Sequence, residues 1–265
     1  MHDFRVPLDE LLDDLAAEHA ALDAVVAPLA DEGWDTPTPA PGWAVRHAIG
    51  HLTYFDEQGR LAAVDPDAFE ANKQEIVGNR GSFDLAGPAA ALPAGELLDA
   101  WRAARAGLLE AFAPLDPKER LPWYGPPMSA RSFLTARLME TWAHGVDVYE
   151  ALGAPIPATD RLRHVAHIGV TTRGWSYVVR GEEPPPVDVF VALDPPGGGE
   201  RWTWGPDDAA DRVTGPALDF CLLVTQRRSL DDGVQIDIVG DAAAGWMDRA
   251  QAFAGAATST TRRSS

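Results

Sequence analysis

Ala136-Arg137-Leu138-Met139-Glu140-Thr141-Trp142-Ala143-His144-Gly145-Val146-Asp147 is the stretch on which the reading of this chain turns. On an α-helix, Glu140 and His144 lie on one face, one turn apart. Their neighbours on that face are the small Ala136, Ala143 and Ala151. A solvated face would be crowded with long charged side chains, so this one reads as a polar patch facing an interior with room in it. A carboxylate and an imidazole in such a place are two of the three ligands that catalytic zinc takes from a protein, the fourth position staying open. The remaining ligand has to come from another element.

Working outward, the chain supplies one. A helix over about residues 43–64 places His51 on the same face as Ala44, Ala48, Phe55 and Ala62, and so points it inward. His47 stands one turn before His51, and a swap of the two remains open at this point. Arg137, one turn before Glu140, is a candidate partner for the carboxylate or a ligand for an anion.

Apolar periodicity gives further helices at about 7–30, 94–113 and 129–152, the last carrying Glu140 and His144. Four amphipathic helices joined by turn-rich loops read as a four-helix bundle, an architecture that builds metal sites between facing helices. His19 lies on the apolar stripe of the first helix and is expected to be a hydrogen-bonded core histidine. Residues 65–93, with Gly78, Gly81 and Gly87, read as a long irregular stretch, more often a functional cover than a plain connector.

Gly153-Ala154-Pro155-Ile156-Pro157 marks a boundary. A fifth helix is expected over about 159–179. Short strands follow at about 187–193, 201–204 and 235–239, interleaved with helices near 215–227 and 242–255. The chain is therefore expected to be α+β. A helical bundle fills 1–155, a connecting helix 156–182, a small α+β domain 183–257, and a disordered Ser/Thr/Arg-rich tail 258–265.

Composition bounds the partners. At 265 residues, with 46% hydrophobic and 23% charged, the chain is an ordinary globular protein with real cores. No apolar run approaches membrane-spanning length and the N-terminus lacks a signal pattern, which leads us to expect a cytoplasmic protein with no membrane partner. A net charge of −18 argues against nucleic acid, whose phosphates an acidic surface repels. The single cysteine, Cys221, excludes a disulfide framework and a cysteine-rich zinc site, and its apolar run makes it a buried hydrophobe.

Two segments together, Gly42-Trp43-Ala44-Val45-Arg46-His47-Ala48-Ile49-Gly50-His51-Leu52 and Glu140-Thr141-Trp142-Ala143-His144-Gly145-Val146-Asp147-Val148, resemble the DinB-like mycothiol-dependent maleylpyruvate isomerase family. The resemblance implies a DinB-like bundle in front and a small α+β domain behind. It also implies that His51, Glu140 and His144 bind a divalent metal, zinc by preference, with mycothiol as the thiol cosubstrate. His47 stands where such proteins are often acidic, and is expected to assist catalysis beside the ligands rather than to be one.

The segment Arg161-Leu162-Arg163-His164-Val165-Ala166-His167 is closer to metal-binding paralogues of unassigned substrate. His164 and His167 are either a polar strip beside Arg161 and Arg163 or a strip that binds cofactor or substrate anions. Leu222-Leu223-Val224-Thr225-Gln226-Arg227 resembles the helix end that sends an arginine into the isomerase pocket, which makes Arg227 a candidate catalytic cation. The family's logic is that a metal deprotonates a thiol, and the thiolate adds to a small, carboxylate-bearing electrophile. Release of the thiol gives an isomerase and its retention an S-transferase. The alternative is a metal-dependent small-molecule binding protein without catalysis.

Overall fold

The computed structural model describes residues 6–78 and 85–257, apart from the side chains of 75–78. Contacts divide the chain into two compact units, Pro7–Ile156 and the part from Pro157 on.

The first unit is built on α1 (Leu8–Val26), α2 (Val45–Val64), α4 (Ala94–Phe112) and α5 (Ala130–Ala151), with α3 (Pro66–Gly78) between the second and third of these. Leu11, Leu15, Leu22 and Val26 of α1 are fully or almost fully buried with Val45, Ile49 and Leu52 of α2 and Leu97 and Trp101 of α4. These positions are spaced as an inward-facing apolar stripe requires.

Helix directions follow from cross-helix contacts. Arg46, near the start of α2, donates to the carbonyls of Ala90 and Leu92 just before α4. Gly107, near the end of α4, faces Arg60 near the end of α2. These two helices therefore run parallel. On α5, Glu140 faces His51 and Arg137 faces Asp56, so α5 is antiparallel to α2. Asp23 holds Arg102, and the carbonyl of His19 accepts from Arg105, so α1 is antiparallel to α4.

Parallel neighbours need a long return connection. That explains residues 65–93, expected above as an irregular cover. The segment instead contains α3, capped by Asp65, whose carboxylate accepts from the Ala68 amide at 3.0 Å, with Pro66 at the first helical position. Gly78 closes α3, and Pro88–Ala91 forms a short 3-10 turn leading into α4. The three glycines obscured an Asp-Pro start that was present in the sequence. Residues 79–84 lie outside the described part, as does the tail at 258–265 that was expected to be disordered.

In the second unit, the helix expected over 159–179 is two: α6 (Leu162–Thr171) and α7 (Arg173–Val178). Thr172 interrupts them, its hydroxyl bonding back to the Ile168 carbonyl at 2.7 Å in competition with the helix ladder. The sheet has four strands, β3 (Val189–Asp194), β4 (Trp202–Trp204), β5 (Asp211–Pro216) and β6 (Asp237–Val239), in the order β4-β3-β5-β6. β3 and β5 are parallel, and both edge pairs are antiparallel. β5 was missed because only Val213 within it is a buried apolar residue and Gly215-Pro216 reads as a break.

α8 (Ala217–Val224) and α9 (Asp241–Met247) complete the unit. α6 lies close to α8 because residue 169 is glycine; a Cβ there would stand 2.7 Å from Val224. Cys221 is fully buried, as expected. A two-stranded ribbon, β1 (Arg120–Leu121) with β2 (Met128–Ser129), closes the loop before α5. No described helix is long and apolar enough to cross a membrane.

His19 is buried on α1, but not in the hydrogen-bonded form expected. Neither ring nitrogen has a hydrogen-bond partner, and the Asp56 carboxylate stands 3.7 Å from Nε2. Burial lowers its pKa from 6.5 to about 4, opposed by Asp56 and reinforced by Arg105 and Arg137. An unfolded histidine protonates more readily than this one. Stability is therefore complete above pH 6.5 and falls as the pH drops towards 4, by about 3 kcal/mol in all at about 1.4 kcal/mol per unit. Urea unfolding across that range should show the loss, and His19→Leu should flatten it.

Candidate metal centre

His51 rides on α2, and Glu140 and His144 one turn apart on α5. Tertiary packing brings one ligand atom from each within 4.8 Å of the others. Glu140 Oε2 stands 3.9 Å from His51 Nε2 and 3.5 Å from His144 Nε2, and the two imidazole centroids are 4.5 Å apart. Among the described residues this is the only such group.

The protonation of the set follows from its surroundings. His51 Nδ1 lies 2.8 Å from the Leu85 carbonyl, which can only accept, so Nδ1 carries a proton and Nε2 is the nitrogen that faces Glu140. His144 Nδ1 has the Asp147 carboxylate at 3.7 Å, and Asp147 is itself buried. Burial would raise the Glu140 carboxyl, but His144 and then His51 hold it well below the usual carboxylate range. The result is an anionic oxygen faced by two imidazole Nε2 atoms, with His51 oriented by a carbonyl on its other nitrogen, as metal-binding histidines generally are.

This donor set fits a divalent metal. Ligands each about 2.0–2.2 Å from a tetrahedral ion stand roughly 3.3 Å apart, close to the 3.5 and 3.9 Å seen here. Glu140 keeps 26% of its side chain exposed, so the centre is open on one flank. Aromatic rings wall the rest. Trp43 stacks on His144 with an interplanar angle of 14° at 5.5 Å and meets His51 at 5.5 Å, while Phe55 packs on His51 at 4.6 Å.

The other candidates are not members of this group. His47 Nδ1 accepts from the Ala44 amide at 2.8 Å, satisfying a donor at the start of its own helix, and its ring lies beside Trp43. Arg137 is buried, its Nε donating to Asp56 at 2.9 Å. His164 and His167 belong to the second unit, where Arg163 approaches His164 and Trp204 Nε1 donates to His167 Nδ1 at 3.2 Å. They recruit no third ligand among the described residues.

Arg227, also in the second unit, follows Gln226, which takes the left-handed conformation at φ 60° at the end of α8. Arg227 Nη1 donates to the Thr225 carbonyl, and Gln226 Nε2 to the Ala250 carbonyl. Sequence reasoning passed over Trp43, Asp147 and the Leu85 carbonyl as contributors. Only Asp147 carried a signal, its i,i+3 spacing from His144.

A helical bundle with a two-histidine, one-carboxylate centre between antiparallel helices is the class that fold and site define. The chain belongs to the family of the mycothiol maleylpyruvate isomerase N-terminal domain, whose model matches residues 15–149 and so contains all three residues of the centre. A model described as wyosine base formation matches residues 198–236 of the second unit. An uncharacterized protein of Mycobacterium tuberculosis, found in two strains, is 48% identical over 244 residues, covering 91% of this chain and 94% of its own length. The crystal structure of the mycothiol-dependent maleylpyruvate isomerase has a TM-score of 0.57 at 18% identity, covering 89% of this chain and 96% of that one. A histidine-to-alanine mutant of that enzyme gives 0.58 with the same identity and coverage. At this identity the likeness to the solved structures is one of fold.

Gly50 precedes His51, and a Cβ on it would come within 2.6 Å of the Ala86 carbonyl and 2.9 Å of the Ala90 amide. Backbone cannot yield as a flexible side chain does, so Gly50→Ala should displace the segment that carries the Leu85 carbonyl. Urea titration is expected to show a loss of about 1–3 kcal/mol, the usual range for overpacking.

Proposed function

We propose that this protein is a divalent-metal enzyme, with zinc the preferred ion, that uses mycothiol to attack a small, carboxylate-bearing electrophile. The observation that carries the reading is the convergence of His51, Glu140 and His144 within the stretch matched by the family model.

His51, Glu140 and His144 are the residues that would hold the ion. An ion in that position supplies the charge that keeps a thiol as its nucleophilic thiolate near neutral pH. The chain's own groups do the rest. The Leu85 carbonyl fixes the His51 tautomer, and Asp147 attracts the Nδ1 side of His144. Trp43 and Phe55 hold the imidazole planes and shield them from water. The exposed flank of Glu140 is the approach for thiol and electrophile. Arg227 is kept in this proposal as the cation for the substrate carboxylate, because a planar guanidinium makes two parallel hydrogen bonds where an ammonium makes one contact. Loss of the thiol after addition makes the reaction an isomerisation, and its retention makes it an S-transfer.

Two measurements test the reading. Elemental analysis of protein purified without added metal should find one equivalent of a divalent ion in the wild type. It should find none in Glu140→Ala or His144→Ala, while His47→Ala retains it. Full occupancy in both ligand variants would remove the centre from consideration.

Turnover of cis-configured unsaturated dicarboxylates should then require both metal and mycothiol. Arg227→Lys is expected to raise KM for the carboxylate substrate by about tenfold while leaving the dependence on thiol concentration unchanged. Tight binding of metal and thiol without turnover of any electrophile would mark a binding protein instead.

A further inference from the structure

A second polar layer crosses the bundle beside the metal centre. Asp56 on α2 is fully buried, Arg137 on α5 is 4% exposed, and His19 on α1 is 2% exposed. Arg137 Nε donates to Asp56 Oδ1 at 2.9 Å, and the other carboxylate oxygen faces His19 Nε2 at 3.7 Å. Buried charges are rare in a core, because desolvation offsets much or all of their mutual attraction. A volume-matched apolar pair would stabilise the bundle as well or better. The pair therefore calls for a reason other than stability.

Its position supplies one. Asp56 follows His51 by five residues on α2, and Arg137 precedes Glu140 by three on α5. Because the helices are antiparallel, the ion pair lies along the same helix–helix seam as the His51–Glu140 approach, about one turn away. Apolar packing is non-directional and tolerates small axial slides. A charge-assisted hydrogen bond between a planar guanidinium and a carboxylate does not. Metal ligands drawn from two helices need their donor atoms placed to within about half an ångström.

We propose that Asp56 and Arg137, with His19 packed against the carboxylate, are positioning residues that set the axial register of α2 against α5 and thereby bring His51 to Glu140 and His144. The inference rests on the metal reading above. It also gives Arg137 a task other than the binding of an external anion, since its side chain is buried and its Nε is bonded to Asp56.

The test separates register from stability. In the full chain, Asp56→Leu combined with Arg137→Met replaces the pair by apolar groups of similar volume. Thermal unfolding and zinc affinity, the latter by competition with a chromogenic chelator, are measured on the same samples. The Tm should equal or exceed that of the wild type, while the dissociation constant for zinc rises 10–100-fold, the usual consequence of losing a group that orients ligands.

Should the double variant fail to fold, Arg137→Lys carries the test. It keeps the charge but loses the planar geometry, and the expected weakening is roughly 3–10-fold. Wild-type zinc affinity in a folded variant overturns the inference and leaves the metal reading standing. Absence of zinc binding by the wild type overturns the metal reading, and this inference with it.

Discussion

His51 arrives on α2, and Glu140 and His144 on α5, so the centre exists only while two helices far apart in the chain hold one axial offset. α2 and α4 run parallel, which forces the return connection through α3 and the 3-10 turn. The end of that connection delivers the Leu85 carbonyl to His51 Nδ1. The crossover therefore closes the topology and also determines which imidazole nitrogen of His51 faces Glu140.

Apolar burial drives the bundle together without choosing its register. That choice is made by groups with direction or with hard contact. Gly50 and Gly59 remove side chains where neighbours come closest: a Cβ at residue 59 would lie 2.8 Å from both Leu108 and Phe133. Between α1 and α4, Asp23 binds Arg102 and Arg105, and these hydrogen bonds and charges hold its carboxyl below the usual range against the opposing effect of burial.

The candidate centre sets a carboxylate between two imidazoles. Each imidazole has an acceptor on its Nδ1 side, a carbonyl for His51 and the Asp147 carboxylate for His144. That arrangement turns both Nε2 atoms towards Glu140, which its histidine neighbours keep anionic. Stacking on Trp43 restrains the ring planes at small cost in conformational freedom.

Some of this was written locally in the sequence. The i,i+4 spacing of Glu140 and His144, the apolar stripes of the four long helices, the break at residues 153–157 and the inward face of His51 all follow from helical periodicity and from the backbone limits of proline and glycine. A helix places its own residues relative to one another, so such features need no knowledge of the rest of the chain. The start of α3 was legible as Asp65-Pro66, yet the later glycines outweighed it. β5 had too few alternating apolar residues to stand out from a loop. What no local pattern contained was the set of contacts between elements: the Leu85 carbonyl on His51, Trp43 on His144, and the burial of Arg137 against Asp56. Those depend on helix direction and offset, which packing of the whole bundle decides. A carbonyl can accept a hydrogen bond at any position, so the sequence specified which side chains can form a metal centre, and the tertiary structure decided which backbone and charged groups orient them.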